Sequence, residues 1–175
     1  YSVTEGDSIM VQGTVSQFQG LVQMDKLDTI VKISSGRTLK KAAYVSGVDE
    51  TTESKLVQFR RVKLVDATEW PTTALAANGF KNVRVMNTSG RVDTLNIDAE
   101  TDIDGSAAPV GYFDVTGLGG QFDNSAPYTT RYVLSPRYMN DLKVSALPTV
   151  NFTKTSDQVF EPADSFRMDF SVIPA

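Results

Sequence analysis

Apolar and polar residues alternate along most of this chain with a period of two, the spacing of a β-strand that buries one face. The alternation predicts strands over residues 9–11, 29–33, 56–65, 81–86, 91–97, 112–115 and 131–134. Turn-forming runs fall between them at short intervals: Ser34-Ser35-Gly36, Asn78-Gly79, Ser89-Gly90 and Asp104-Gly105. Helical spacing is scarce. Residues 72–77, after Trp70-Pro71, and residues 136–142 are each predicted to form a helical turn or two. The pattern as a whole predicts an all-β fold.

An internal echo divides the chain. Val11-x-Gly13-x-x-x-Gln17-Phe18 returns 104 residues later as Val115-x-Gly117-x-x-x-Gln121-Phe122, which predicts two related modules in tandem. At each copy the glycine is expected to relieve a crowded, curved strand and the Gln-Phe pair to close the turn after it. The alternative reading makes Gln17 and Gln121 equivalent contact residues.

The run Gly6-Asp7-Ser8-Ile9-Met10-Val11-Gln12-Gly13-Thr14-Val15, continuing to Gly20-Leu21, resembles the strand-turn-strand of OB-fold-like modules in secreted bacterial surface proteins and extracellular nucleases. The second copy extends the likeness through Thr101-Asp102-Ile103-Asp104-Gly105, Phe113-Asp114-Val115-Thr116-Gly117, Gly120-Gln121-Phe122, Pro127-Tyr128, Pro136-Arg137-Tyr138 and Asn140-Asp141-Leu142. The resemblance implies an OB-like Greek-key β-barrel over residues 53–145, preceded by a partial OB-like module over 1–52 that lacks its opening strands. Such a partial module leaves backbone groups for something else to cover. Residues 148–153 and 158–161 resemble the first strands of a Calx-beta or immunoglobulin-like module, assigned to 146–175. There Phe166, Met168, Phe170 and Val172 alternate with Ser165, Arg167, Asp169 and Ser171, the pattern of one half-buried strand.

Composition narrows the chemistry. With neither Cys nor His among 175 residues, disulfides, thiolate nucleophiles, imidazole bases and Ser/His/Asp triads are excluded. The chain is read as no enzyme. A net charge of −4 gives no long-range attraction to nucleic acid or to anionic lipid. No apolar run approaches the roughly 20 residues of a membrane-spanning helix, so no membrane insertion is expected. A first residue of Tyr1 rather than Met predicts a processed product or a fragment.

Three residue sets are candidate sites. Asp98, Glu100, Asp102 and Asp104 alternate up to Gly105, in the manner of the opening of a calcium loop, and are the candidate ligands for Ca2+. No acid stands at the twelfth position from Glu100, and a turn held by Asx hydrogen bonds accounts for the same spacing. Phe59, Arg60, Arg61, Lys63 and Arg84 are a candidate stripe for nucleic acid or glycan, pairing an aromatic face with cations. The bland alternative is the solvated outside of a strand. Phe166, Met168, Phe170 and Val172 are the candidate strand-addition interface. Sequons at Asn87 and Asn151 agree with a secreted origin.

The expected function is that of a non-enzymatic structural or adhesive segment of a secreted or cell-surface bacterial protein, assembling into a homo-oligomer or filament by β-strand addition between chains. The extracellular or cell-surface location is implied by the resemblance. An OB-type nucleic-acid or glycan binding module is the alternative.

Overall fold

The computed structural model describes residues 2–145. By contacts the chain separates into two units, Tyr1–Val144 and Ser145–Ala175, and the candidate strand at Phe166, Met168, Phe170 and Val172 lies outside the described residues. The described part is all-β, with no α-helix and three single 3-10 turns.

Two long strands open it. β1 (Ser8–Phe18) and β2 (Leu21–Ser34) pair antiparallel along their whole length as a two-stranded sheet of their own. The remaining strands are β3 (Ala43–Tyr44), β4 (Leu56–Leu64), β5 (Phe80–Met86), β6 (Val92–Asp98), β7 (Phe113–Gln121), β8 (Tyr132–Ser135) and β9 (Leu142–Val144). Five of them form a closed mixed barrel in the order β4-β5-β6-β8-β7, with β7 returning to pair with β4. The β6–β8 contact is parallel, and the other four barrel pairings are antiparallel. β3 adds to β4, and β9 adds to β7 beside β8. Residues 43–52, which the sequence groups with the first module, thus pack on the barrel, with Val48 in its core.

Alternation decides what the barrel holds. Val57 and Phe59 of β4, Val83 and Val85 of β5, Leu95 and Ile97 of β6, Phe113 and Val115 of β7 and Leu134 of β8 all point inward and are buried. Closing a five-stranded barrel bends its strands hard, and β4 does so at Arg61, whose φ of 49° accompanies a register shift between Phe59 and Val62. The Asp114 carboxylate accepts the Arg61 amide at 2.8 Å and fixes this bulge. Trp70 and Ile103 plug one end of the barrel; Trp70 Nε1 donates to the Ser106 carbonyl at 3.2 Å, so its one polar atom is satisfied.

The predicted helical turns differ. Residues 72–77 adopt no helix, because Asp104 accepts the Leu75 amide with both oxygens (3.1 and 3.0 Å) and holds that segment as a loop on the barrel end. Within 136–142 only Met139–Asp141 form a 3-10 turn.

Candidate functional site

The hairpin β1–β2 is the most exposed element and has two unlike faces. Cross-strand partners share a face, so the register places Ile9 with Lys32, Val11 with Ile30, Gly13 with Leu27, Val15 with Met24 and Gln17 with Val22 on one side. That side is apolar along nearly its whole length. The other carries Gln12 with Thr29, Thr14 with Lys26 and Ser16 with Gln23, with apolar pairs only at its two ends, Met10 with Val31 and Phe18 with Leu21. In a folded sheet the first face would be the buried one, yet Val15 is 65% exposed and Val22 54%.

The edges of the hairpin also differ. β1 has no charged residue, whereas β2 carries Asp25, Lys26, Asp28 and Lys32, and Asp25 and Asp28 are skipped in the pairing as bulges. Charges and bulges are the devices that guard an edge strand against further pairing. Among the described residues neither outer edge has a strand partner, and only the β1 edge is unguarded.

Both ends of the hairpin are tied down. At the turn, the Asp123 amide donates to the Gln19 carbonyl at 2.7 Å, and Gly20 (φ +93°) lies so close that a Cβ there would strike Gln121 Oε1. At the open end, Glu5 accepts from Arg137 Nη1 (3.2 Å) and from the Tyr138 hydroxyl (3.1 Å). Asp7 accepts from the Thr4 amide (3.0 Å) and pairs with Lys32 (3.2 Å). A hydrogen bond from Ser35, then those from Thr4 and Lys32, hold its carboxyl far below the usual range.

A second surface lies on the barrel wall. Phe80 and Phe122 stack with ring centroids 5.8 Å apart, at one side of a cleft of about 450 Å³ whose polar lining includes Asn82, Thr94, Asn124 and Arg131. Phe80 is 54% exposed. Tyr132 forms part of the wall, and its hydroxyl donates to Glu50 at 2.8 Å; burial first, then that carboxylate, push its pKa up to about 12. Gln121 and Asp123 shape the adjoining loop. Gln121, 1% exposed, donates to the Tyr128 and Thr130 carbonyls (2.6 and 3.0 Å), and Asp123 accepts from the Thr130 amide and hydroxyl (3.0 and 2.6 Å). The hydrogen bond from the Thr130 hydroxyl is the main cause holding the Asp123 carboxyl below its ordinary pKa. Phe80 lies just outside the strand predicted over 81–86 and Phe122 in the Gln-Phe pair expected to close a turn, and nothing local to either signals that they meet.

The residues predicted from sequence are dispersed. Phe59 is 2% exposed, packed in the barrel core, whereas Arg60 beside it is exposed. Arg60 covers the Tyr44 ring, and Arg61 and Lys63 lie 5.5 and 5.9 Å from the centroid of Tyr112. Arg84 forms an ion pair with Glu69, whose carboxylate also accepts the Arg84 amide at 2.8 Å. The cations therefore divide among three partners, with Arg61 and Lys63 sharing Tyr112, Arg60 on Tyr44 and Arg84 on Glu69.

The acidic loop is tied largely to backbone amides. Among the described residues no three acidic side chains converge as a metal site would require. Asp98 accepts the Glu100 amide (2.8 Å), Asp102 the Met139 amide (2.6 Å) and Asp104 the Leu75 amide. Asp102 and Asp104 thereby staple the loop to two other segments, and Asp98 holds the turn at Glu100, the Asx arrangement that the spacing also allows. The sequon residue Asn87 is likewise engaged, accepting the Ser89 and Arg91 amides (3.0 Å each) and donating to the Ser46 carbonyl (3.2 Å).

No family model, no curated protein and no solved structure matches this chain.

Proposed function

We propose that this chain is a non-enzymatic structural or adhesive segment of a secreted or cell-surface bacterial protein, built on an OB-type barrel and assembling by β-strand addition. The observation that carries the reading is the hairpin β1–β2, an apolar sheet face left in water beside an unguarded strand edge. A two-stranded ribbon is marginal by itself in water, and an added strand supplies both backbone hydrogen bonds and cover for alternate side chains. Residues Phe166, Met168, Phe170 and Val172 have the alternation of a donor strand, and donation from one copy to the next is heterologous, giving filaments or rings.

Light scattering on the full chain beside a version ending at Ser145 tests this, with electron microscopy of any large species. Ordered polymers from the full chain and a monomeric truncation are expected. Monomers from both would remove self-assembly through the last strand.

A second reading, an OB-type nucleic-acid or glycan binding module, is favoured by the exposed Phe80 stacked on the half-buried Phe122 beside Arg131. Stacking of one base or sugar ring on such an aromatic is worth roughly 1–3 kcal/mol, so Phe80→Ala is expected to weaken binding about 5- to 150-fold. For an oligonucleotide, Arg131→Ala would in addition flatten the salt dependence. Fluorescence titration with single-stranded oligonucleotides and with oligosaccharides reads both, and no binding of either at low salt removes this reading.

A further inference from the structure

We propose that the hairpin β1–β2 is the closing part of a second barrel. Its face of Ile9, Val11, Val15 and Met24, with the outer edge of β1, is the docking site for a three-stranded antiparallel meander like β4–β5–β6, supplied by another polypeptide segment. The inference rests on the reading of the hairpin as a docking element and names what it docks.

The chain contains the assembled form of the same hairpin. Ile9, Val11, Gly13, Val15 and Gln17 lie on the apolar face of β1, and 104 residues later Phe113, Val115, Gly117, Gly119 and Gln121 are all buried inside the barrel. The shared residues do the same local work. A Cβ on Gly13 would strike the Lys26 carbonyl of β2, and a Cβ on Gly117 would come within 2.6 Å of the Ser135 carbonyl of β8. Gln17 Nε2 donates to the Gly20 carbonyl at 2.9 Å and Gln121 Nε2 to the Tyr128 and Thr130 carbonyls, each closing the turn that follows its strand. β1–β2 therefore corresponds to β7–β8, whose inward face is covered by β4, β5 and β6.

The two edges agree independently. β7 is paired along its outer edge by β4, from Leu56 opposite Leu118 to Val62 opposite Phe113, while β8 meets β6 at one bridge, Leu95 opposite Leu134. The matching edges of the hairpin are the uncharged one of β1 and the charged, bulged one of β2. A strand edge that must accept a partner is bare, and one that needs almost no pairing can carry charge.

Area decides against a second hairpin as the occupant. At a strand spacing of about 4.8 Å and a rise of about 3.3 Å per residue, the face is roughly 10 by 30 Å. Two copies face to face would cover roughly 600 Å², short of the ~1,000 Å² of a specific interface. A three-stranded meander covers the face and also pairs the β1 backbone.

The test repeats residues 53–105 ahead of Ser2 through a flexible Gly/Ser linker on the full chain, which places the candidate complement at high effective concentration. Amide hydrogen exchange by NMR is expected to slow at least 100-fold across β1 relative to the unfused chain. Paired substitution Val11→Asp and Val15→Asp should abolish the protection, and Gln12→Asp with Thr14→Asp, on the opposite face, should leave it. The Val115 and Leu134 amides, which occur once in the fusion, report in the same spectra that the resident barrel is folded. Should the fusion not fold, the peptide 53–105 titrated onto the full chain is read at the same β1 amides. Unprotected β1 in the folded fusion, or in the peptide titration that replaces it, overturns the proposal, as does loss of protection from both substitution pairs alike. Self-assembly is read separately in the unfused chain, so polymers without protection and protection without polymers tell the two readings apart.

Discussion

Phe113→Ala is expected to destabilise the barrel by about 4 kcal/mol, the size found when a large aromatic is removed from a packed core. Phe113 is 2% exposed and sits where β7 is held from both sides, opposite Val62 of β4 and Val144 of β9. Its neighbours cannot close over the vacancy, because closure of the barrel fixes the distance between β4 and β7 and the bulge at Arg61 fixes the course of β4. A shift in the urea midpoint at unchanged slope, followed by Trp70 fluorescence, measures the loss. The hairpin contributes nothing to this core, so truncating an equally apolar but exposed side chain, Val15→Ala, should move the midpoint by no more than about 0.5 kcal/mol.

How much of this could be read beforehand depends on the range of the interaction that decides each feature. Strands β4, β5 and β6 and the turns at Asn78-Gly79 and Ser89-Gly90 were legible, because period-two alternation and turn residues are local signals. The crowding at Gly13 and Gly117 was legible for the same reason, although the carbonyls that crowd them belong to other strands. Barrel closure was not legible from alternation: the pairing of β4 with β7 joins residues 51 to 62 positions apart, and periodicity carries no partner information.

The surroundings of the candidate site residues are decided at the same kind of boundary. Asp98 to Asp104 have the spacing of a cation loop, but two of the carboxylates are claimed by the Leu75 and Met139 amides, 29 and 37 residues distant along the chain. Phe59 and Arg60 looked like one mixed surface stripe. Simple alternation places Phe59 and Arg61 on one face, and the bulge that follows Phe59 breaks that phase, leaving the aromatic in the core and the cations on separate tyrosines. The cleft at Phe80 and Phe122 is made by a strand start and a loop 42 positions later, so only the fold brings it together. The hairpin is the opposite case: alternation predicts strands over 9–11 and 29–33, both lie within β1 and β2, and nothing among the described residues covers their apolar face.

The paired glycines permit a prediction that separates the two sheets of one chain. Gly117→Val places side-chain carbons against the Ser135 carbonyl, its carbon at 2.8 Å and the Pro136 nitrogen at 2.9 Å, all of them backbone that cannot swing aside. β8 must then move off β7, and overpacking of this kind is expected to cost about 3 kcal/mol, read as a lower urea midpoint by Trp70 fluorescence. Gly13→Val meets the Lys26 backbone still more closely, yet β1 and β2 bury almost nothing against the barrel. It should therefore leave the Trp70 transition in place within about 0.5 kcal/mol, while amide exchange across β1 and β2 rises to the unprotected rate. Equal shifts for both variants would mean that hairpin and barrel unfold as one unit. That result would contradict the independence which the exposed hairpin faces require, because a sheet that shares a core cannot be pried open without loosening it.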